Sequence, residues 1–421
     1  MRVLHVIPSV SERSGGPATA IIPMCRALMR EGIEVLLVTT DAGLPGTNGD
    51  VVEYKGVPAR FFHSQWGESF KYSRPMASWL ATNIRNFDLA HIHAVFNHSS
   101  VAAARACREA GVPYVIRPLG TLDPWSMTQK SLRKRLFWHV SGKALLQRAA
   151  TVHYTSEAEK LSTERRMALN HGKVIALGIE TSTTSEGVAD HFPELARDPY
   201  VLVLSRLHPK KGLDVLIEAF QSLGEEFSRW RLVLAGDGPS NYVSRLKSKA
   251  QGDRILFTGW LEGERKEAVL GGASLLVLPS HQENFGLCVM EALAHSVPVL
   301  VSPNVNLAPE IAANNAGWIA AIEKDALAAK LAEALRDKEE LARRGRAGRQ
   351  LSQKYSWENA ARGLTRLYQE ILNAMTGGHG VPPLQRSKHG VKGQPRLLHN
   401  PSCECRERAR SRRPRMWCID G

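Results

Sequence analysis

The sequence has no long apolar run and little cysteine, and each shortage excludes a class of protein. No stretch of about 18 apolar residues occurs, so a membrane-spanning helix is not expected. The start, MRVLHVIPSV, has a short apolar run without a cleavage site, which argues against a secretory signal peptide. Six cysteines in 421 residues do not form a disulfide framework, and Cys25, Cys107 and Cys288 are expected to be reduced, buried thiols. These features predict a cytoplasmic protein.

What the chain does contain is the composition of a globular protein with a basic tail. Apolar residues make up 43% and charged residues 23%, and the length allows two domains, each with its own core. Half of the formal net charge of +14 lies in residues 377–421, which hold ten Lys or Arg and three acids. The mildly basic remainder suits an anionic substrate or an anionic membrane surface.

The tail, residues 376–421, contains Pro, Gly and Arg but has no hydrophobic period, so we expect it to be disordered. Cys403, Cys405 and Cys418 do not have the spacing of zinc ligands, and no metal is expected there. The charge of the tail suits an anionic membrane or nonspecific contact with nucleic acid, and no specific nucleic-acid partner is expected.

Short apolar runs alternate with helical segments along most of the chain. The apolar runs cover residues 3–8, 34–40, 89–93, 114–118, 151–155, 200–207, 231–238, 255–260, 274–280 and 298–302. This alternation is typical of parallel, doubly wound α/β sheets. A polar stretch at 179–199 interrupts it, which predicts two Rossmann-like domains, residues 1–180 and 181–355. An amphipathic helix is predicted at 356–375.

In the second domain, polar residues come directly after several strands. Open parallel sheets bind their ligands at this edge, beyond the carboxyl ends of the strands. Arg206 and Lys211 follow its first strand, and both offer charge and hydrogen-bond donors to phosphate oxygens. The later stretch HQENFGLCVMEALAHSVPVL adds helix amides near Gly286, which attract phosphate. Glu283 can accept from sugar hydroxyls, and Glu291 can accept from a ribose diol. Together they predict a pocket for a sugar joined to a nucleotide by a diphosphate.

Each of these residues also has a simpler interpretation. Glu291 could be a solvated helix residue, and Lys210 and Lys211 could be a surface charge pair. Gly236 and Gly238 could merely shape a turn. The pocket is favoured because the features occur in order, at successive strand ends.

The segments RLHPKKGLDVLIEAF, LAGDGP, FTGWL, PSHQENFGLCVMEALAHSVPVL and the early GGP carry a family resemblance. Over about residues 1–375, the chain resembles family 4 glycosyltransferases, which are retaining enzymes of the GT-B fold. The resemblance implies an α/β protein whose two Rossmann-like domains face each other, with parallel sheets, across an interdomain cleft. The segment RPLGTLDPW, Arg117 to Trp125, is similar to bacterial surface-polysaccharide transferases.

The resemblance implies a role for each matching residue. Arg206 and Lys211 would hold the diphosphate and stabilise the leaving nucleotide, and Glu283 would contact the donor sugar. The other donor-binding residues would be Gly15 and Gly16 at the phosphate, Trp260 and Leu261 at the base, Glu291 at the ribose, the amides of Asn284, Phe285, Gly286 and Leu287, and Gly236. The acceptor side would include Arg117, Gly120, Thr121 and Asp123.

No metal or other cofactor is expected, because Arg, Lys and helix amides would supply the electrostatic stabilisation. The sequence has no Asp-x-Asp, the usual metal-ligand signal of the other major glycosyltransferase fold. The resemblance further implies retention by front-face attack, with the departing phosphate as base and no protein nucleophile.

One departure from the family concerns Leu119, a position where the similar subset often has His or Arg. Leucine cannot donate a hydrogen bond to a phosphate or a sugar hydroxyl. His93 could fill part of that role and is included among the catalytic candidates. His91, His93 and His98 could equally be structural histidines at a strand end.

The segment 129–150 has six Lys or Arg and no acid, interleaved with apolar residues. A basic amphipathic helix can lie on an anionic membrane, here the inner face of the plasma membrane. An ordinary helix that covers the sheet with snorkelling lysines would show the same pattern. A lipid-linked acceptor would favour the membrane.

The leading hypothesis is a retaining glycosyltransferase that moves a sugar from a nucleotide-sugar to a glycan or lipid-linked acceptor, in cell-surface polysaccharide synthesis. A sugar-nucleotide epimerase of the same fold would turn over the donor without an acceptor. A catalytically impaired binding protein, with Leu119 marking the loss, would bind the donor without transfer.

Overall fold

The computed structural model describes residues 1–11, 15–43, 49–66, 70–123, 127, 134, 136–180 and 187–376. The predicted tail from residue 377, with its three cysteines, lies outside these residues, as do residues 129–133 and 135 of the basic segment 129–150. Among the helices that are described, none combines the length and the apolar character needed to cross a lipid bilayer.

The first β-sheet lies in the N-terminal half of the chain. Its strands are β1 (Arg2–Val6), β2 (Glu34–Thr40), β3 (Val51–Tyr54), β4 (Val57–Phe62), β5 (Leu89–His93), β6 (Tyr114–Arg117), β7 (Thr151–Tyr154) and β8 (Gly172–Val174). Their order is β3-β4-β2-β1-β5-β6-β7-β8, and only β3 pairs antiparallel. Every residue of β5, β6 and β7 is buried, because helices cover both faces of the sheet.

The helices of this half connect the parallel strands. They are α1 (Gly16–Arg30), α2 (Arg74–Asn83), α3 (His98–Ala110), α4 (Lys143–Gln147) and α5 (Glu157–Met167), with a π-helical turn at Trp138–Gly142. Side-chain caps fix where three of them begin. Ser73 accepts from the Met76 N–H before α2. Asn97 accepts from the Ser100 N–H before α3, and Ser156 accepts from the Glu159 N–H before α5. These helix starts lie at the carboxyl edge of the sheet.

The second sheet is parallel throughout. Its strands are β9 (Tyr200–Leu204), β10 (Arg231–Ala235), β11 (Ile255–Gly259), β12 (Leu275–Leu278), β13 (Val299–Val301) and β14 (Gly317–Ile319), in the order β11-β10-β9-β12-β13-β14. Its helices are α6 (Val188–His191), α7 (Leu213–Gln221), α8 (Ser240–Lys249), α9 (Gly263–Gly271), α10 (Leu287–Ala294), α11 (Ala308–Ala313), α12 (Lys324–Arg336) and α13 (Lys338–Ser352). Two parallel α/β sheets confirm the fold class predicted from the alternating pattern.

The last helix, α14 (Trp357–Thr376), returns the chain to the first sheet. The Ile179 N–H donates to the Tyr355 carbonyl at 3.0 Å, so the two crossings of the chain lie side by side. Helix α14 packs along α1 and buries Tyr368 completely. The end of the second half of the chain therefore completes the core of the first.

Candidate active site

The loop between β12 and α10 places Glu283 at the carboxyl edge of the second sheet. The Glu283 N–H donates to the Asn304 carbonyl at 3.1 Å, and the Asn306 N–H donates to the Glu283 carbonyl at 3.0 Å. Gly286 then takes a left-handed conformation, with φ of 70°, and α10 begins at Leu287. The backbone on both sides fixes the position of Glu283.

The Glu283 carboxylate is paired with the Lys211 ammonium, and the two side chains are only 19% and 13% exposed. Lys211 reaches it from the 3-10 turn that follows β9. Burial raises the pKa of Glu283, but Lys211, Lys210 and Arg206 outweigh that effect and hold it below its usual value. Glu283 is therefore ionised at neutral pH and can only accept hydrogen bonds.

Lys210 and Arg206 complete a group of three cations after β9. Burial lowers the pKa of Lys210, and the nearby Glu283 raises it in part. The Arg206 side chain is exposed. Cations grouped around one carboxylate at a sheet edge suit a ligand with several negative oxygens, such as a diphosphate.

The glycine turn before α1 meets this group from the first sheet. At Gly15, with φ of 93°, an added Cβ would lie 2.9 Å from Arg206 Nε. At Gly16, an added Cβ would lie 3.6 Å from Leu287 Cδ1. Any larger residue at position 15 would push against Arg206. The two sheets thus approach each other where Arg206 and the start of α10 lie.

The loop after β6 makes a second approach between the sheets. An added Cβ at Gly120 would lie 2.7 Å from Asn284 Cβ. Asn284 Nδ2 donates to Thr155 Oγ1 at 3.0 Å, and the Gln282 amide donates to the Asp123 carboxyl group. Residues of the predicted acceptor side therefore contact the donor loop directly.

Glu159, which the sequence reasoning missed, supports both of these loops. It is 1% exposed and accepts from the Gly120 N–H at 3.0 Å, and from the N–H and hydroxyl of Thr155 at 2.9 and 3.0 Å. Burial holds the pKa of Glu159 above its usual value, and these hydrogen bonds offset that effect only in part. The spacing Ser156-x-x-Glu159 is that of a capping box and was the signal available in the sequence.

Asp123 is 4% exposed beside this group. Burial first, and then the charge of Glu159, raise its pKa to about 7, while Lys210, Arg166 and the Gln282 amide act against that shift. Thr121 is half-buried, and its hydroxyl donates to the Pro118 carbonyl at 2.7 Å. Leu119 itself has φ of 62°, a conformation that is unfavourable for a residue with a Cβ.

Glu291 is paired with Lys266 of α9 at 2.8 Å, with side chains 21% and 25% exposed. Burial lowers the pKa of Lys266, but the negative charges of Glu291 and Glu267 outweigh that effect and raise it above its usual value. The ammonium therefore stays charged. Glu291 is therefore not a freely solvated helix residue. Its carboxylate is held in place on the α10 side of the site.

The residues predicted at the base lie near the ends of β10 and β11. Trp260 is half-buried, and its indole N–H donates to Glu262. Leu261 is 6% exposed and Phe285 is 3% exposed, and both side chains belong to the core. Leu261 and Phe285 can therefore face a ligand only through their backbone, and the predicted place of Leu261 beside the base stays a prediction. The Gly236 N–H donates to the Gly259 carbonyl at 2.8 Å.

The structure also corrects the prediction for His93. Its side chain is fully buried, and Nε2 lies 3.1 Å from His5 Nδ1 on the neighbouring strand β1. His91 Nδ1 lies 2.7 Å from the Tyr368 hydroxyl, and His153 Nδ1 lies 3.3 Å from His91 Nε2. We name His5, His91, His93 and His153 the histidine cluster. His93 faces this cluster beneath α14 and does not line the cleft.

Arg117, predicted on the acceptor side, is likewise an interior residue and is 2% exposed. Burial lowers its pKa to about 10, while Glu159 and Tyr368 raise it, so the guanidinium remains charged among the histidines. Its Nε and Nη1 have no hydrogen-bond partner among the described residues. Arg117 precedes the loop after β6 in the chain, but its side chain lies in the interior of the first sheet's core.

Within the described residues, His5, His91 and His93 form a possible metal-ligand group, with nitrogens within 4.8 Å of one another. The positive charge of Arg117 lies next to these rings and opposes a cation. Both ring nitrogens of His91 already have partners in Tyr368 and His153. We therefore assign no metal to the cluster.

Two protein-family models match the chain. The model described as "Glycosyl transferase 4-like domain" matches residues 15–178, and "Glycosyl transferases group 1" matches residues 189–351. Together the two models span most of the sequence, one on each sheet.

Two curated relatives illustrate the range of similarity. Glycogen synthase from Mycobacterium tuberculosis is 32% identical over 192 residues, which cover 43% of this chain and 46% of the relative. The match thus spans about half the length of that relative. The GDP-mannose:cellobiosyl-diphosphopolyprenol alpha-mannosyltransferase of Komagataeibacter xylinus is 26% identical over 413 residues, covering 93% of this chain and 98% of the relative.

A solved structure shares the whole architecture. The Anabaena HepE protein in complex with UDP and glucose superposes with a TM-score of 0.72 and 20% identity. The match covers 88% of this chain and 100% of that chain. At this identity the likeness establishes the fold, which is GT-B. The two family models and this fold show that the chain belongs to the family 4 type of GT-B glycosyltransferases.

Proposed function

We propose that the protein is a retaining glycosyltransferase that moves a sugar from a nucleoside-diphosphate sugar to a saccharide acceptor. The observation that carries the proposal is the Glu283–Lys211 pair, set among Arg206 and Lys210 where the glycine turn of the first sheet meets the second. The HepE structure, described as a complex with UDP and glucose, supports a nucleotide-sugar donor.

In this proposal, the donor diphosphate lies against Arg206, Lys211 and the amides at the start of α10. The leaving nucleotide gains negative charge as the glycosidic bond breaks, and fixed cations and amides stabilise that charge without reorganising. Glu283 accepts a hydrogen bond from a donor-sugar hydroxyl and thereby orients the ring. Glu291, held by Lys266, accepts from the ribose.

Retention of configuration then follows without a protein nucleophile. The acceptor hydroxyl attacks from the face that the phosphate leaves, and the departing phosphate oxygen takes the proton. The carboxylates described at the site have other roles, since Glu283 is paired with Lys211 and Asp123 is bonded to Gln282. Gly120 and Thr121 form the acceptor side of the reaction centre.

The Komagataeibacter relative is named for a saccharide carried on diphosphopolyprenol, which supports a lipid-linked saccharide as the acceptor here. Such an acceptor would bring the protein to a membrane surface in cell-surface polysaccharide synthesis. The basic segment 129–150 suits this contact, as does the charge of the tail.

The test is a screen of the purified protein against UDP-, GDP- and ADP-sugars, with Glu283→Gln beside it. Glutamine has the shape of glutamate but no charge, and we expect nucleotide release to fall roughly 100-fold or more. The matched control is Glu157→Gln, an exposed acid in the first turn of α5, which should behave as wild type.

Other outcomes separate the competing functions. Conversion of the donor into another nucleotide-sugar would identify an epimerase. Donor binding without release, even with lipid-linked saccharides present, would identify a binding protein. Binding of no donor would refute the proposal.

A further inference from the structure

A group of aromatic side chains at the carboxyl edge of the first sheet takes no part in the donor site. Trp66, Phe70 and Tyr72 lie between β4 and α2, and His98 begins α3. We name these four residues the aromatic platform. Its most exposed member is Trp66, at 62%.

The backbone holds the platform in one arrangement. Trp66 and Tyr72 form an antiparallel bridge, in which the Tyr72 N–H donates to the Trp66 carbonyl at 3.0 Å. Their rings stack at 4.8 Å between centroids, with 18° between the planes. One face of the indole therefore rests on Tyr72, while most of the ring remains in solvent.

His98 anchors the platform to the sheet. Its ring lies 4.4 Å from Tyr72 and 5.9 Å from Phe70, measured between centroids. The His98 N–H donates to the Phe70 carbonyl at 2.9 Å, and Nδ1 accepts from the Ser73 N–H at 3.3 Å. Burial lowers the pKa of His98, which keeps the ring neutral and able to accept. The platform is thus fixed on its inner side and open on its outer side.

Single exposed apolar residues are common, so exposure alone does not indicate a site. Leu161, also 62% exposed, is a single apolar residue on α5 and serves as the comparison. Trp66 differs because its ring stacks on Tyr72 and Phe70, at 4.8 and 6.3 Å between centroids, while 62% of the residue stays exposed. A large rigid ring gains substantially when a ligand covers it, at little cost in conformational entropy.

The platform and the reaction centre share one edge of the sheet. Four residues before His98, the Ala94 N–H donates to the Arg117 carbonyl at 2.9 Å, and Arg117 leads into the loop with Gly120. The Tyr72 ring lies 4.4 Å from His98, so the aromatic platform begins beside the end of β5, next to β6 and the loop with Gly120. Trp66 lies one further ring away, 4.8 Å beyond Tyr72. A ligand that reached from Gly120 to Trp66 would have to extend past both His98 and Tyr72, beyond one sugar ring.

We propose that the aromatic platform binds a pyranose ring of the acceptor, at least one sugar away from the hydroxyl that is glycosylated. This rests on the proposed transferase function. The C–H bonds on the flat face of a pyranose carry partial positive charge and pack against the negative face of an aromatic ring.

The surroundings of Trp66 offer hydrogen-bonding groups to a sugar. Neighbouring polar residues include Gln65, which accepts from the Arg74 N–H at 2.8 Å. His63 pairs with Asp41 at 3.0 Å, and Asp41 also accepts from the Ser64 N–H at 2.8 Å. Hydroxyl groups of a sugar can bond to these side chains. Phe70 also meets the basic segment 129–150, where the Phe137 ring lies 6.4 Å away between centroids, so an anionic membrane is the competing ligand that the test has to separate.

The test is direct binding, measured by saturation-transfer NMR, with cello-, malto- and manno-tetraoses and their monosaccharides. We expect at least one tetraose to bind, with the protons of one sugar face most saturated, and the monosaccharides to bind at least tenfold more weakly. Trp66→Ala should weaken the tetraose at least tenfold. Trp66→Phe should restore binding to within about threefold, and Leu161→Ala should match wild type.

The contrary results are equally defined. Failure of every tetraose to bind, or equal binding by Trp66→Ala, would overturn the inference. Loss of binding to phosphatidylglycerol vesicles in Trp66→Ala, with saccharide binding unchanged, would make the platform a membrane contact instead. UDP, GDP and ADP titrations of the same variants should be unaffected. If neither UDP, GDP nor ADP bound to the wild type, the proposed donor site would be wrong, but the saccharide binding could still be interpreted.

Discussion

The histidine cluster should make the free energy of unfolding depend on pH, and replacing His5 should change that dependence by an amount that can be calculated. His5 is fully buried, and burial first, followed by the charge of Arg117, lowers its pKa to about 3. The other titratable groups of this core, besides Arg117, are His91 and His93 on β5, His153 on β7, Tyr368 on α14 and Cys25 on α1. The folded protein therefore cannot take up a proton at His5 under mild acid.

The size of the effect follows from proton linkage. In the unfolded chain, His5 has a pKa of about 6.5 and binds a proton on acidification that the folded state excludes. Stability is then full above pH 6.5 and falls as the pH drops toward 3. Between pH 7.5 and 5.5, this one residue removes about 1.4 kcal/mol of the free energy of unfolding.

Other groups contribute with known signs. His153, whose pKa burial also lowers to about 3, adds a similar loss of about 1.4 kcal/mol. Asp123 acts the other way, because the folded state keeps a proton below about pH 7 that the unfolded state releases. That gain is about 2 kcal/mol over the same interval. The pH dependence of the free energy of unfolding is the sum of these contributions. The contribution of His5 therefore has to be measured by comparing wild type with the His5 variant.

The assay is urea unfolding of wild type and His5→Asn at pH 7.5 and 5.5. We expect His5→Asn to be less stable than wild type at both pH values. On going from pH 7.5 to 5.5, however, its free energy of unfolding should fall by about 1.4 kcal/mol less than that of wild type. His153→Asn should show the same reduction, and the exposed His281→Asn should show none. Equal pH-dependent differences in wild type and both cluster variants would refute the reasoning.

Three further predictions concern the site. Lys211→Met leaves Glu283 without its paired cation, so nucleotide-sugar turnover should fall roughly 100-fold with little change in the circular dichroism spectrum, and turnover within tenfold of wild type would contradict this. Lys266→Met releases Glu291, and calorimetric titration should show about tenfold weaker binding of the ribonucleotide with less loss for its 2′-deoxy form; equal losses for both would separate Lys266 from ribose binding. Gly120→Val places side-chain atoms against Asn284, so kcat should fall at least about tenfold. Gly32→Ala, at an exposed glycine with the same left-handed conformation, is the control for replacing a glycine as such. An unchanged kcat in Gly120→Val would show that the close approach of the two loops is not needed for catalysis.

The architecture was predictable because it depends on local pattern. Short apolar runs bounded by turn residues, such as 274–280, are typical of buried strands, and their alternation with helices leaves few topologies. The cations after β9 and the acids around Gly286 were also within reach, because parallel strands end at one edge and bring these residues together. The contact of Gly15 with Arg206 depends on how the two sheets meet, which no single segment encodes.

The roles of His93 and Arg117 were not predictable for a different physical reason. In β5, the sequence LAHIH is buried on both faces, so alternation cannot tell which face meets the cleft and which meets α14. The register His93 with Arg117, and His5 with His91, places all four on the face of the histidine cluster. Trp66 carried no periodic signal at all, because it lies in a loop.

The most direct test of the central claim is nucleotide release from the donor panel by wild type and Glu283→Gln, measured beside nucleoside-diphosphate binding to both. One donor should release its nucleotide with wild type. In Glu283→Gln, release should fall roughly 100-fold while the nucleoside diphosphate still binds within about threefold, because Arg206 and Lys211 remain. Equal release by the two proteins, or binding of no donor by wild type, would contradict the assignment of this site.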